Sequence, residues 1–303
     1  GPYEVPFLKD VPRLTDMTKA ALNILGGNDQ GSFLVVEGGA IDWAGHNNQM
    51  DRLIEEQHDF DKAVKAAIEW VEKNSSWEES LIIVTGDHEC GFLTGPDYPG
   101  DNPIANFAVV NNGQHNVVGH KWNDYRHTNQ LVPLYAKGAG SEKFTSYADE
   151  EDYVRGRFLN NTEIANVMFD LWPSPEQVQP DPENVVILIG GGMGKNHIRA
   201  AEYYYGQPPP YRDWPLAKAM STWPAISAPV WENRAVENYN PWYNPAEVWT
   251  ASEFVTNAPA GSASAATSMF SGIKTARKAV RVSIDSTLLP SIVQRANETG
   301  KST

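Results

Sequence analysis

The stretch Phe33-Leu34-Val35-Val36-Glu37-Gly38-Gly39-Ala40-Ile41-Asp42-Trp43-Ala44-Gly45-His46 decides how this chain is read. Its first four residues form an apolar run bounded by glycines, the pattern of a buried strand. Glu37, Asp42 and His46 come within ten residues of that run. Asp42 and His46 are four apart, so a helical turn starting here places a carboxylate and an imidazole on one face. That pair suits Zn²⁺, which takes oxygen and nitrogen donors in small number. Glu37 alone suits a harder ion such as Mg²⁺.

Leu81-Ile82-Ile83-Val84 repeats the arrangement, with Thr85-Gly86-Asp87-His88-Glu89 directly behind it. On a regular strand Asp87 and His88 point to opposite faces, but where the chain turns at the strand end both reach one ion or two neighbouring ones. Ligands of open α/β sheets collect outside the carboxyl ends of the strands, so two such clusters reinforce each other. His127 is a third candidate, just before the strand-like Leu131-Val132-Pro133-Leu134-Tyr135. An isolated His or Asp-His pair is more often an ordinary surface or core group; two clusters at strand ends are not ordinary. His58, His115, His120 and His197 lack such placement, and His58 falls on a charged helix face where solvent is the expected neighbour.

The apolar runs at 33–36, 81–84, 131–135 and 185–189 alternate with helical patterns at about 51–73, 163–171 and 195–205, an α/β order. In the first helix Leu53, Ile54, Phe60, Val64, Ala67, Ile68 and Val71 form the core stripe, with Glu55, Glu56, Lys62 and Lys65 on the wet face. Residues 203–249 crowd Trp214, Trp223, Trp231, Trp242, Tyr243 and Trp249 into a Pro-rich segment. It reads as an aromatic-stapled loop packed on the body, with a subunit interface or a lid as the sharper alternative. The turn Gly190-Gly191-Gly192-Met193-Gly194 lacks dinucleotide spacing and has no acidic residue at the next strand end, which argues against a nicotinamide enzyme.

A chain of 303 residues with 41% hydrophobic content can bury a sizeable core. With a mean hydropathy of −0.45 and no long apolar run, no membrane span is expected. A net charge of −14 argues against nonspecific nucleic-acid binding, so an anionic substrate would need cations in the cleft. Cys90 is the single cysteine, which allows no intrachain disulfide.

The phrases VEGGAIDWAGH (36–46), LIIVTGDHECGFL (81–93) and HTNQLVPLYAKGAG (127–140) resemble the metal-binding segments of the alkaline phosphatases. The helix sequence that begins at Asp51 resembles the one that succeeds the first segment in that family. The resemblance covers most of residues 8–170 and implies a three-layer α/β/α fold with a mostly parallel central sheet. It implies one zinc on Asp42, His46 and His127, a second on Asp87 and His88, and magnesium on Glu37. The run Asn184–Gly194 resembles the family's first strand and glycine turn, and Gly261–Thr275 its nucleophile helix. Counting back from Gly272-Ile273-Lys274-Thr275 puts the nucleophile at Ser262, with Ser264 as the alternative.

Those last segments normally open the family's chain and here come after the ones that close it. The resemblance therefore implies a single permuted domain over 1–303. Residues 1–171 match the family's C-terminal part, 184–303 its N-terminal part, and 172–183 form a Pro-rich linker. A middle section is missing, and with it the arginine that clamps phosphate and a threonine of the magnesium site. Gly191 stands where the family has the Asp that bridges the second zinc and magnesium, and Gly261 where an Asp precedes the nucleophile. The second zinc site is thus incomplete and the magnesium site weak or absent. The resemblance implies a phosphomonoester hydrolase working through a phosphoserine, weakened by these losses. The alternative is a metal- and phosphate-binding protein with little or no turnover. A periplasmic or extracellular homodimer is implied by resemblance only.

Overall fold

Unbroken apolar runs need cover on both faces, and three of them lie side by side as parallel strands. The computed structural model describes residues 1–173, 182–225 and 243–303. Its central sheet is built from Ser32–Gly38 (β1), Ser80–Gly86 (β2), Val132–Gly138 (β3), Glu150–Asp152 (β4), Gly156–Asn160 (β5), Asn184–Gly190 (β6) and Leu216–Ser221 (β7). The strand order is β1-β6-β2-β3-β7-β5-β4. β1, β6 and β2 are parallel, β3 reverses, β7 and β5 return to the first direction, and β4 reverses again. Five of the seven strands thus share one direction.

Side chains alternate across this sheet with period two, and each face takes its own helices. On one face Val36, Ile82, Val84, Val186 and Leu188 pack against Leu22 of Leu14–Leu25 (α1), Ile41 of Ala40–His46 (α2), Phe60 and Val64 of Met50–Asn74 (α3) and, beyond the glycine turn, Ile198. On the other, Phe33, Leu81, Ile83, Val185 and Ile187 meet Met168 of Glu163–Leu171 (α4), together with Met269 and Ile292 from the C-terminal helices. Lys195–Tyr205 (α5), Ser262–Ser271 (α6) and Ile292–Glu298 (α7) complete the layers. The result is the expected three-layer α/β/α fold. Among the described residues no helix is long and apolar enough to cross a membrane.

Three readings of the sequence need correction. Residues 203–249 are not only a loop: Leu216–Ser221 is a strand inside the sheet, paired with β3 on one side and β5 on the other. Its sequence, with Ala, Lys, Met and Ser, carries little strand propensity, and pairing on both edges overrides it. Trp214, Trp223, Tyr243 and Trp249 are all buried. Tyr243 Oη and Trp249 Nε1 both donate to Asp152 Oδ2, at 2.8 and 2.9 Å, which staples this segment to the body. Trp231 and Trp242 lie outside the described residues, as does most of the expected linker.

His58 is half-buried and not simply solvated. Its ring stacks on Tyr205 of α5 with centroids 3.8 Å apart, and burial, then Lys62, lowers its pKa to about 4. Glu55 likewise leaves the wet face of α3. It is 1% exposed, accepting from Arg52 at 2.6 Å and from the backbone amide of Tyr3. The N-terminal segment covers a helix face that sequence periodicity alone assigns to water.

Candidate active site and metal centre

β1, β2 and β6 end level with one another, because Gly38, Gly190 and Gly86 are register partners. The chain therefore emits three loops from one edge, and the chemistry-bearing residues collect there. After β1 the backbone turns at once into α2, whose i,i+4 spacing brings Asp42 Oδ2 and His46 Nε2 to 3.2 Å. His127 enters from the ribbon Glu89–Cys90 with His127–Thr128. Its Nε2 lies 2.9 Å from His46 Nε2 and 3.5 Å from Asp42 Oδ1.

The tautomers make this cluster chemically unusual. His46 Nδ1 donates to the Tyr125 carbonyl at 2.6 Å and His127 Nδ1 to the Ala260 carbonyl at 2.9 Å. Carbonyls accept only, so each ring carries its proton on Nδ1 and turns the lone pair of Nε2 inward. Two imidazole lone pairs and a carboxylate then face one another. Asp42 Oδ1 is a buried acceptor with no hydrogen-bond partner. Protonating His127 is unfavourable, since burial, then His88, pulls its pKa down to about 4. A divalent cation resolves all three orphans, and the outer carbonyls are the partners that metal-bound histidines use to fix their tautomer. The donor set fits zinc.

The second locus shares a wall with the first. His88 stacks on His127 with ring centroids 3.5 Å apart. At the end of β2, Asp87 Oδ2 lies 3.0 Å from His88 Nε2, and Ser262 Oγ lies 3.1 Å from the same nitrogen. The glycine turn after β6 closes over this pair: Gly192, at φ +68°, donates its N–H to Asp87 Oδ1 at 2.9 Å. Burial opposes ionisation of Asp87, but His88 and these hydrogen bonds outweigh it and hold the carboxyl near about 2. Burial also opposes charging His88, and there Asp87 wins, raising the imidazole. His88 Nδ1 is left without a partner.

Ser262 is the first residue of α6 and is exposed. Ser264 is 1% exposed, and its Oγ turns back to Gly261, accepting from its N–H at 3.3 Å and donating to its carbonyl at 3.0 Å. The geometry therefore leaves Ser262, and not Ser264, facing the cluster. Gly191 does sit among the carboxylates. A Cβ there would lie 3.4 Å from Glu37 Oε1 and 3.5 Å from Asp42 Cβ. Burial, then Asp87 and Asp42, raises the Glu37 pKa.

All the residues singled out by the sequence thus converge on one sheet edge. One neighbour went unforeseen: the Cys90 thiol, fully buried beside Asp42 and raised above its ordinary pKa by burial and then by Asp42. A lone cysteine has no partner spacing to give it away. His197 is also fully buried, accepting from Gly194 N–H at 3.2 Å, with its Nε2 3.0 Å from the Cys90 carbonyl. It ties the glycine turn to the Cys90 ribbon.

Comparison with known proteins agrees with that geometry. Residues 3–118 and 182–303 match the alkaline phosphatase family model. The chain belongs to the alkaline phosphatase family. It is 41% identical over 90 residues to alkaline phosphatase 3 of Bacillus subtilis (strain 168), covering 30% of this chain and 19% of that protein. To alkaline phosphatase 4 of the same organism it is 28% identical over 214 residues, 53% of this chain and 43% of that protein. The tissue-nonspecific alkaline phosphatase of Felis catus is 30% identical over 161 residues, 45% and 30% of the two chains. The chain spans less than half the length of these relatives. No solved structure gives a significant match.

Proposed function

We propose that this protein is a metal-dependent phosphomonoester hydrolase acting through a phosphoserine at Ser262. The observation that carries the reading is the 3.1 Å approach of Ser262 Oγ to His88 Nε2, at a helix start beside the donor cluster of Asp42, His46 and His127. Zinc on Asp42, His46 and His127, a second zinc on Asp87 and His88, and magnesium at Glu37 would supply Lewis-acid stabilisation and lower hydroxyl and water pKa values. The rest is work for the chain. Free N–H groups in the first turn of α6 favour the incoming phosphate. Ser262 Oγ loses its proton to solvent and attacks phosphorus in line with the alcohol oxygen, which departs and takes up a proton from solvent; water then hydrolyses the phosphoserine, releasing inorganic phosphate and restoring the hydroxyl. His127 and His88, stacked ring on ring, hold the two loci next to each other.

The family supports a phosphomonoester as substrate. A permuted segment order, a periplasmic or extracellular location and a homodimer belong to the same proposal. A second reading is favoured by Gly191, which brings no carboxylate to the space between Glu37 and Asp42. In that reading the protein binds metal and phosphate with little or no turnover.

The test is zinc-supplemented hydrolysis of a phosphomonoester, run beside trapping of labelled inorganic phosphate on the enzyme at acid pH. Turnover and a covalent label are expected in the unaltered protein, with both lost in Ser262→Ala. Metal and phosphate binding without label or turnover would establish the second reading.

A further inference from the structure

Cys90 follows Asp87, His88 and Glu89 beyond the end of β2 and pairs, residue to residue, with His127 across the small antiparallel ribbon. Directly opposed residues share a face, so Cys90 and His127 project to the same side. Its Sγ, one ring nitrogen each of His46 and His127 and an Asp42 carboxylate oxygen all lie within 4.8 Å of one another. The surrounding backbone is shaped for this approach. A Cβ on Gly45 of α2 would lie 3.1 Å from Cys90 Sγ, and one on Gly192 would lie 2.9 Å from Cys90 Cβ and 2.7 Å from Asp42 Oδ1. The thiol therefore reaches Asp42 through a gap between two positions that carry no side chain.

We propose that Cys90 is a fourth protein ligand of the Asp42–His46–His127 centre, bound as the thiolate. The proposal rests on the reading that a metal occupies that centre. On binding, the S–H bond breaks, the Sγ–metal bond forms, and the proton passes to bulk solvent. Asp42 and the thiolate together balance a dication, leaving a neutral centre in a partly buried place. Four donors of mixed oxygen, nitrogen and sulfur type suit zinc or another thiophilic dication and reject magnesium. With these four residues holding the metal, a substrate oxygen would be a fifth donor, a number that zinc tolerates.

The 303-residue chain, stripped of metal and titrated with cobalt(II), tests this. The unaltered chain is expected to show an intense near-ultraviolet sulfur-to-cobalt charge-transfer band. Cys90→Ser should lose that band, keep weaker visible bands, and bind zinc at least about tenfold less tightly. X-ray absorption of the zinc-loaded unaltered protein should show a sulfur neighbour at about 2.3 Å, absent in His127→Ala. This second measurement decides the matter even if Cys90→Ser does not fold. Cobalt binding that is abolished by His127→Ala but shows no thiolate band and no sulfur shell would overturn the role of Cys90 alone. Cobalt binding undisturbed by His127→Ala would overturn the metal centre itself.

Discussion

His46 and His58 are both on helices beside the sheet, yet they should behave oppositely. His46→Ala removes one of two facing lone pairs, so metal affinity should fall by more than the ~10–100-fold typical of losing an outer partner. His58→Ala removes only the stack on Tyr205 and should leave the metal content by elemental analysis unchanged. Equal metal loss in the two variants would contradict the ligand assignment. Gly191→Asp asks about the missing carboxylate. Gly191 is not among the residues with positive φ, and the new Cβ would meet Gly39 Cα at 3.3 Å, tight but within reach of a small shift. If the carboxylate completes the second metal site, turnover should rise by about tenfold, equivalent to about 1.4 kcal/mol. A folded variant without added metal or activity would show that this chain does without the bridge. That the candidate ligand residues gather in one place was legible because each lies just beyond or just before an apolar run at fixed spacing. Cys90 was not, since only the pairing with His127 shows where its thiol goes.

At the scale of elements, the packing of α3 against α5 and the segment after it carries a pH signature. Asp61 accepts from Gln57 Nε2 at 3.1 Å and from Tyr211 Oη at 2.9 Å, and burial raises its pKa to about 7. An unfolded Asp ionises near about 3.9. Between about pH 4 and 7 the unfolded chain has released this proton while the folded protein keeps it. Stability from this group therefore falls as pH rises through that window and stays reduced above it. Asp61→Asn keeps an acceptor for both donors and removes the titration. Its melting temperature should gain on that of the unaltered protein between pH 4 and 8, by about 2–4 °C per kcal/mol of penalty removed. A gain independent of pH would show that Asp61 is ionised in the fold. The long helices were legible from their 3.6-residue stripes, down to the 163–171 and 195–205 spans. β7 was not, because a strand specified by its two neighbours leaves little trace in its own sequence. Glu55 and His58 were misread for a related reason: periodicity marks the face toward the sheet, and the partners on the other face come from Tyr3 and Tyr205, far away in sequence.

For the whole molecule, the two sequence halves interlock instead of sitting side by side. β6 comes from the second half and lies between β1 and β2 of the first, paired along seven register positions on each edge. Val185, Val186, Ile187, Leu188 and Ile189 are all buried. At about 1.5–3 kcal/mol per apolar side chain their burial contributes on the order of 10 kcal/mol, comparable to the net stability of an ordinary domain, about 5–15 kcal/mol. The second half also closes the edge beside β1, where Phe33 N–H donates to the Ser302 carbonyl at 2.8 Å and Lys301 Nζ to the Glu183 carbonyl at 2.7 Å. If residues 1–303 form one folding unit, residues 1–173 expressed alone should lack cooperative unfolding and expose apolar surface to a hydrophobic dye. Adding residues 182–303 should restore a single thermal transition, together with zinc binding at Asp42, His46 and His127, because Ala260 in the second half holds the His127 ring. Two fragments that each melt cooperatively by themselves would show two domains and remove the single-domain reading.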